Sequence, residues 1–134
     1  MRRSVVLLAA ALLTCTAPAA APTPTVPPSG PPRVSSVVSV GDTITVTFSR
    51  PMLQMGEASG VEMRGNYQLD GRALASATRL ACQTPECIVV AIDLPAGTLV
   101  PQTSHTLRIA NLVALSGPSL VPDPTTVTFT VSPR

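Results

Sequence analysis

Cys82 and Cys87 are the pair of residues with the clearest chemical potential in this chain. They are separated by Gln-Thr-Pro-Glu, and the proline in this short segment favours a turn. The two thiols would then face each other at the ends of neighbouring strands. In an oxidising compartment such a pair forms a structural disulfide. A redox or metal-binding pair is the alternative, but such sites use a two-residue spacing or additional histidines.

His105 is the only histidine and therefore the obvious candidate for acid–base or ligand chemistry. Its strand parity matches that of Leu107 and Ile109, which predicts a partly buried position at the edge of a core. The serines lie in ordinary strand and turn contexts, without the elbow motif of a nucleophile. We therefore predict that the chain is not an enzyme and uses no cofactor.

The acidic residues are placed singly along the chain, at Asp42, Glu57, Glu62, Asp70, Glu86, Asp93 and Asp123. They lack the alternating run of a calcium loop, so we predict no metal site. The sequence leaves open the alternative that a cation is bound by loops that are distant in the chain but close in space. The chain has no Trp and a single Tyr, Tyr67, which we expect in the core, so the exposed aromatic platform of a glycan binder is missing.

The charge balance argues against binding to nucleic acid. The formal net charge is +2, and Arg2 and Arg3 supply it from a segment that we expect to be removed. No Lys occurs, and the other arginines are scattered among acids. A nucleic-acid binder concentrates its basic residues on one face and adds aromatic stacking platforms.

The N-terminus has the order of a secretory signal peptide: positive residues 1–3, an apolar run at 5–13, then small residues. The apolar run is too short to span a bilayer. Residues 12–15, Leu-Leu-Thr-Cys, resemble the lipobox of bacterial lipoproteins, which predicts a signal peptide at 1–14 and a lipid on Cys15. An ordinary signal-peptidase site at residues 17–19, Ala-Pro-Ala, is the alternative.

Residues 15–33 are rich in Pro, Thr and Ala and predict a disordered, extended tether. From residue 34 the pattern changes to short runs of period two. These runs predict strands at 34–40, 43–48, 66–69, 74–81, 88–94, 103–112 and 126–131. We therefore predict that residues 34–134 form an all-β, immunoglobulin-like sandwich of two antiparallel sheets with about seven strands. The predicted core comprises Ile44, Val46, Phe48, Val90, Ile92, Leu107, Ile109, Val127 and Phe129.

The order of several landmarks resembles the bacterial Ig-like domain of the S-layer type, often labelled SbsA Ig-like. The landmarks are residues 47–52 (Thr-Phe-Ser-Arg-Pro-Met), 66–69 (Asn-Tyr-Gln-Leu), 89–95, 104–109 and 126–131. The resemblance covers essentially the whole domain. It implies a structural or adhesive module of cell-envelope proteins without catalysis of its own.

Two positions depart from that family's pattern. Arg50 stands where an acidic residue is common, and residues 114–117 (Ala-Leu-Ser-Gly) replace an Asp-x-Ala-Gly-Asn loop. A binding role of these loops in the family is therefore less transferable to this chain.

The segment 52–65 is a long irregular connection, and such loops on a rigid scaffold often carry binding. The candidate binding residues in it are Met52, Met55, Glu57, Glu62, Met63 and Arg64. Its methionines could form a soft contact surface, or they could fill gaps at the end of the sandwich.

These observations lead to two functional hypotheses. The first is a non-enzymatic lipoprotein of the cell envelope, which acts as a structural, adhesive or protein-binding module toward an unidentified protein or envelope component. It would be attached to a membrane through the lipid on Cys15. The alternative is a soluble periplasmic or secreted protein that binds one partner as an accessory or inhibitor.

Overall fold

A computed structural model describes residues 30–54 and 58–134 of the chain. The predicted signal peptide, Cys15 and most of the predicted tether lie outside these residues. The strands are β1 (Val34–Val40), β2 (Thr43–Phe48), β3 (Tyr67–Leu69), β4 (Arg72–Ala73), β5 (Arg79–Cys82), β6 (Val89–Asp93), β7 (Ser104–Ile109) and β8 (Thr125–Thr130). A 3₁₀ turn at Arg64–Asn66 is the one helical element in the described ranges, where no helix could cross a membrane.

The strands form two four-stranded sheets with the orders β1-β2-β6-β5 and β4-β3-β7-β8. Every neighbouring pair is antiparallel. The inner faces of the two sheets share one apolar core, so the chain is an all-β sandwich, as its alternating sequence predicts. The described residues contain eight strands, whereas the sequence predicts about seven.

The predicted strand at 74–81 is correct only for residues 79–81, and the extra strand lies before it. Arg72–Ala73 instead form β4, which pairs with β3, and Arg79–Cys82 form β5 in the opposite sheet. Leu74 is buried where the chain crosses from one sheet to the other. A turn follows, in which the Thr78 amide donates to the Ala75 carbonyl at 2.9 Å.

Strand β2 shows how the alternation builds the core. Ile44, Val46 and Phe48 are buried on one face, while the intervening threonines lie half-buried on the other. Ile44 and Val46 stand opposite Ile92 and Val90 of β6. Burial of each such side chain contributes about 1.5–3 kcal/mol before conformational entropy is counted. All nine predicted core residues are buried except Val127, which is half-buried.

The ordered domain begins before the predicted boundary at Val34. Pro32 is buried, and its carbonyl accepts a hydrogen bond from the Val121 amide at 2.9 Å. Arg33 exchanges two hydrogen bonds with Ser49, at 2.8 Å and 2.9 Å. The last residues assigned to the tether are therefore part of the folded domain.

The sandwich has two distinct ends. Arg33, Met52 and the segment Cys82–Cys87 lie at the end where the chain enters, which we call the tether end. Asp42, Asp70 and residues 94–99 lie at the opposite end, which we call the far end. Strand β1 runs from the first to the second, and a seven-residue strand spans about 20 Å.

Candidate functional site

Asp42 holds residues 94–99, which form one wall of a groove at the far end. Its carboxylate accepts hydrogen bonds from the Gly97 amide at 3.0 Å and from the Leu99 amide at 2.9 Å. The Asp42 carbonyl also accepts from the Leu94 amide at 2.9 Å. The bonds from the Leu99 and Gly97 amides stabilise the ionised form, which holds the pKa of Asp42 below its usual value. Residues 94–99 are thus shaped by a charged acceptor.

Asp70 fixes the opposite wall. Asp70 and Gly71 form the two-residue turn between β3 and β4, and both have positive φ, 50° and 76°. These values are typical of a type I′ hairpin turn, for which Asp-Gly is a preferred sequence. The Asp70 carboxylate accepts from Nδ1 of His105 at 2.7 Å and from the Thr106 amide at 2.9 Å. These hydrogen bonds, the one from His105 first, lower the pKa of Asp70.

His105 lies at the edge of the core, as its parity with Leu107 predicts. Its side chain is 14% exposed, and its ring stacks on Phe129 with the centroids 6.0 Å apart. Nε2 lies 2.9 Å from the Thr103 hydroxyl, which itself donates to the Val100 carbonyl. The series Asp70, His105 and Thr103 has the connectivity of a hydrolytic triad. The Thr103 proton is already committed to a backbone carbonyl, so the arrangement fits a structural clamp.

An open groove of about 400 Å³ lies between these two walls. Leu69, Leu74, Leu94 and Pro95 provide apolar lining, and Asp70 and Arg72 contribute the charged groups. The groove was not predicted from the sequence. No local signal could have shown that the turn at 70–71 and residues 94–99 face each other.

The candidate binding loop is divided between the core and the surface. Met52 is 1% exposed and lies in the apolar core, where it forms a backbone bridge to Ala114. Its thioether fills space at the end of the sandwich, which is the second of the two uses that the sequence leaves open for these methionines. Met63, in contrast, is 39% exposed. Met55 and Glu57 lie outside the described residues.

The two charged residues of the loop contact other parts of the domain. A carboxylate oxygen of Glu62 accepts from the Cys82 amide at 2.8 Å and from Nε2 of Gln54 at 3.3 Å. The Arg64 guanidinium donates to the Ser76 carbonyl at 2.6 Å. Both side chains therefore have structural partners that account for their positions.

Asn66 and Tyr67 hold the rest of the loop against the sandwich. The Asn66 side-chain amide donates to the carbonyls of Ala58 and Gly60, at 2.7 Å and 3.1 Å. The Tyr67 hydroxyl donates to the Val61 carbonyl at 2.6 Å, and burial of this side chain raises the pKa of Tyr67. The Asn-Tyr landmark of the sequence thus serves to anchor the preceding segment.

A disulfide joins Cys82 at the end of β5 to Cys87 just before β6, with the Cα atoms 4.9 Å apart. The turn that it closes is also held by the Gln83 amide, which donates to the Val89 carbonyl at 2.8 Å. The Met52 amide donates to the Glu86 carbonyl at 3.0 Å. The disulfide turn and the start of the loop therefore support each other.

The two departures from the S-layer family pattern meet in space. The Arg50 guanidinium donates to the Ser116 hydroxyl at 2.9 Å and also to the Gly30 carbonyl. Arg50 therefore connects the point of chain entry to the loop at 114–117.

Within residues 30–54 and 58–134, no group of three or more His, Cys, Asp or Glu side chains is arranged to hold a metal ion.

Solved structures of bacterial surface layers share this architecture. Domains 1–6 of the surface layer protein SbsC match the chain with a TM-score of 0.56 and 20% identity, over 75% of this chain and 14% of that one. The N-terminal part of the bacterial S-layer protein SbsC gives the same TM-score and identity, over 75% of this chain and 23% of that one. The chain thus spans only a small part of these proteins. No protein-family model and no curated protein matches it.

At 20% identity the likeness concerns the fold alone. The S-layer type of architecture predicted from the sequence landmarks is therefore confirmed. Membership of the SbsA Ig-like family stays a prediction.

Proposed function

We propose that the chain is a non-enzymatic module of the cell envelope, attached to a membrane by a lipid on Cys15 and spaced from it by residues 16–29. The observation that carries this proposal is that the chain enters the domain at one end and the groove lies at the opposite end. The chain enters through Pro32 and Arg33 at the tether end, and the groove lies at the far end. Attachment at Cys15 would therefore direct the groove away from the membrane.

Arg50 supports this orientation, because its bond to the Gly30 carbonyl fixes the point at which the chain enters the domain. The S-layer type of fold is consistent with a place in the envelope. A membrane anchor of several acyl chains is effectively stable, since each buried methylene contributes about 0.8 kcal/mol. In this arrangement the domain is a structural, adhesive or protein-binding unit.

The absence of catalysis in this proposal is supported by the geometry at His105. Both oxygens of Asp70 are occupied by donors from β7, and the Thr103 hydroxyl is bonded to a carbonyl. These contacts join the hairpin turn to the neighbouring strand. They account for the polar cluster without a chemical step.

Membrane fractionation of the full chain tests the proposal, with Cys15→Ala as the variant and Thr16→Ala as the matched control. We expect the wild type and Thr16→Ala in the membrane fraction and Cys15→Ala in the soluble fraction. The mass of the mature N-terminal peptide should show acyl chains on Cys15.

Equal release of all three proteins into the soluble fraction would contradict the anchor. It would favour the alternative of a soluble periplasmic or secreted protein that acts on one partner. A mature N-terminus following residue 19 would identify ordinary signal cleavage as the cause.

A further inference from the structure

The far-end groove combines apolar walls with a limited set of polar groups, which is the usual composition of a small binding site. Its volume of about 400 Å³ lies within the range of about 300–1,000 Å³ found for ligand sites. Leu69 and Leu74 come from the β3–β4 side, and Leu94 and Pro95 come from the segment after β6. The groove is open to solvent along one side, so it suits a short apolar side chain better than a long enclosed aliphatic chain.

Both walls of the groove are held in place by hydrogen bonds within the domain. Asp42 holds residues 97 and 99 through their amides, and Asp70 holds the opposite turn to His105 and Thr106. A site with fixed walls loses less entropy when a ligand binds. The groove is therefore preorganised rather than an accidental gap between mobile loops.

Arg72 supplies the unused hydrogen-bonding capacity of the groove. Each carboxylate oxygen of Asp70 accepts a bond from β7, whereas the exposed Arg72 guanidinium makes no hydrogen bond or salt bridge to another described residue. A guanidinium is a planar fork of donors that matches a carboxylate in a bidentate arrangement. An anion with two oxygens would complement the Arg72 guanidinium, which shares this rim with the Asp70 carboxylate and attracts it by charge.

We propose that the groove binds the free C-terminal carboxylate of a peptide whose last residue is apolar. The carboxylate pairs with Arg72, and the last side chain lies against Leu74 and Leu94. Because β4 is an edge strand, the peptide backbone has an unpaired strand edge beside it. This assignment names a partner class for the envelope module proposed above, and it rests on that proposed function for its biological setting.

Binding of a defined probe tests the assignment independently of the anchor. The mature chain, residues 15–134 with Cys15→Ala for solubility, is titrated with acetyl-Gly-Gly-Leu as the free acid and as the C-terminal amide. Amide chemical shifts in nuclear magnetic resonance spectra report the position of binding. We expect the free acid to shift the amides of residues 69–75 and 94–98, with at least tenfold weaker binding of the amide.

Arg72→Gln should weaken binding of the free acid at least tenfold, since it removes the charged fork. Arg108→Gln is the matched control, because Arg108 is an exposed arginine of β7 that does not line the groove. It should leave the affinity unchanged. The amide spectra of both variants show whether the fold is retained.

Three results would overturn the assignment. The first is no shift of the groove amides at about 10 mM free acid, a concentration that detects even millimolar affinity. The second is equal binding of the acid and the amide. The third is tighter binding of decanoate than of the tripeptide, which would identify a fatty acid as the ligand. The titrated protein carries no lipid, so these measurements test the peptide site even if Cys15 of the native chain is not acylated.

Discussion

The two ends of this sandwich differ in the main interactions that hold them, although one carboxylate, that of Glu62, also accepts from the Cys82 amide at the tether end. At the tether end, the disulfide Cys82–Cys87, the buried Met52 and the docked Pro32 hold the connections. At the far end, the carboxylates of Asp42 and Asp70 shape two turns through hydrogen bonds. The first set responds to loss of packing and to reductant, and the second responds to acid. We therefore expect reductant and acid to loosen opposite ends of the domain.

The largest effect should come from truncation of Met52 at the tether end. Met52→Ala leaves a cavity in the apolar core and should lower the free energy of unfolding by about 2–5 kcal/mol. Met63→Ala is the matched control in the same loop, where an exposed side chain should change stability by no more than about 0.5 kcal/mol. Denaturant unfolding of both variants measures the difference. Similar small losses in both would mean that Met52 is not part of the core.

Removal of the disulfide should have an intermediate effect that is confined to the tether end. For a loop this short, the chain-entropy estimate is about 2 kcal/mol. In the double variant Cys82→Ala and Cys87→Ala, hydrogen exchange should accelerate at the Gln83 and Met52 amides. The Gly97 and Leu99 amides at the far end should keep their protection. Equal acceleration at both ends would show that the two ends unfold as one unit.

Acid should have the smallest effect, and it should act on the far end first. Asp42 and Asp70 have pKa values lowered by folding, so they stabilise the fold at pH above the unfolded value of about 3.9. That stabilisation is lost as the pH falls through the lower folded values. Protection factors, which correct for the slower intrinsic exchange at low pH, should therefore fall first at the Leu99 and Thr106 amides between about pH 5 and pH 2.

Asp70→Asn sharpens this measurement, because it removes one of the two titrating groups. The variant should be less stable at neutral pH and should lose less stability on acidification than the wild type. Glu86→Gln at the tether end is the control, since the Glu86 side chain makes no hydrogen bond to another described residue. An unchanged pH dependence in Asp70→Asn would refute the role of this carboxylate.

The features that the sequence predicted are those encoded by local patterns. The alternation of Ile44, Val46 and Phe48 defines a buried strand face because side chains in a strand point to alternate sides. The four residues between Cys82 and Cys87 include a proline, so their spacing indicates a turn that brings the two thiols together. Each of these signals is complete within a few residues, so no knowledge of the fold is required.

The features that the sequence did not predict depend on residues that are distant in the chain. Leu74 and Leu80 are an even number of residues apart, so the local pattern indicates one strand. The chain instead crosses from one sheet to the other in the segment that separates them. His105 reaches Asp70 across 35 positions, and Arg50 reaches Ser116 across 66. The groove depends on two turns from different sheets. Such pairings are set by how the sheets pack, which the local pattern does not contain.

The parallel contact between β1 and β8 has a mechanical consequence. Ser132, just after β8, accepts a hydrogen bond from the Gly41 amide and donates one to the Ser39 carbonyl, at the end of β1. The two strands run in the same direction in different sheets, and the parallel bridge that joins the end of β1 to the residues after β8, between Val40 and Ser132, lies at the far end. Tension applied between Gly30 and Ser132 would therefore act along the strands. These two bonds would be sheared together rather than opened one after the other, an arrangement that resists pulling.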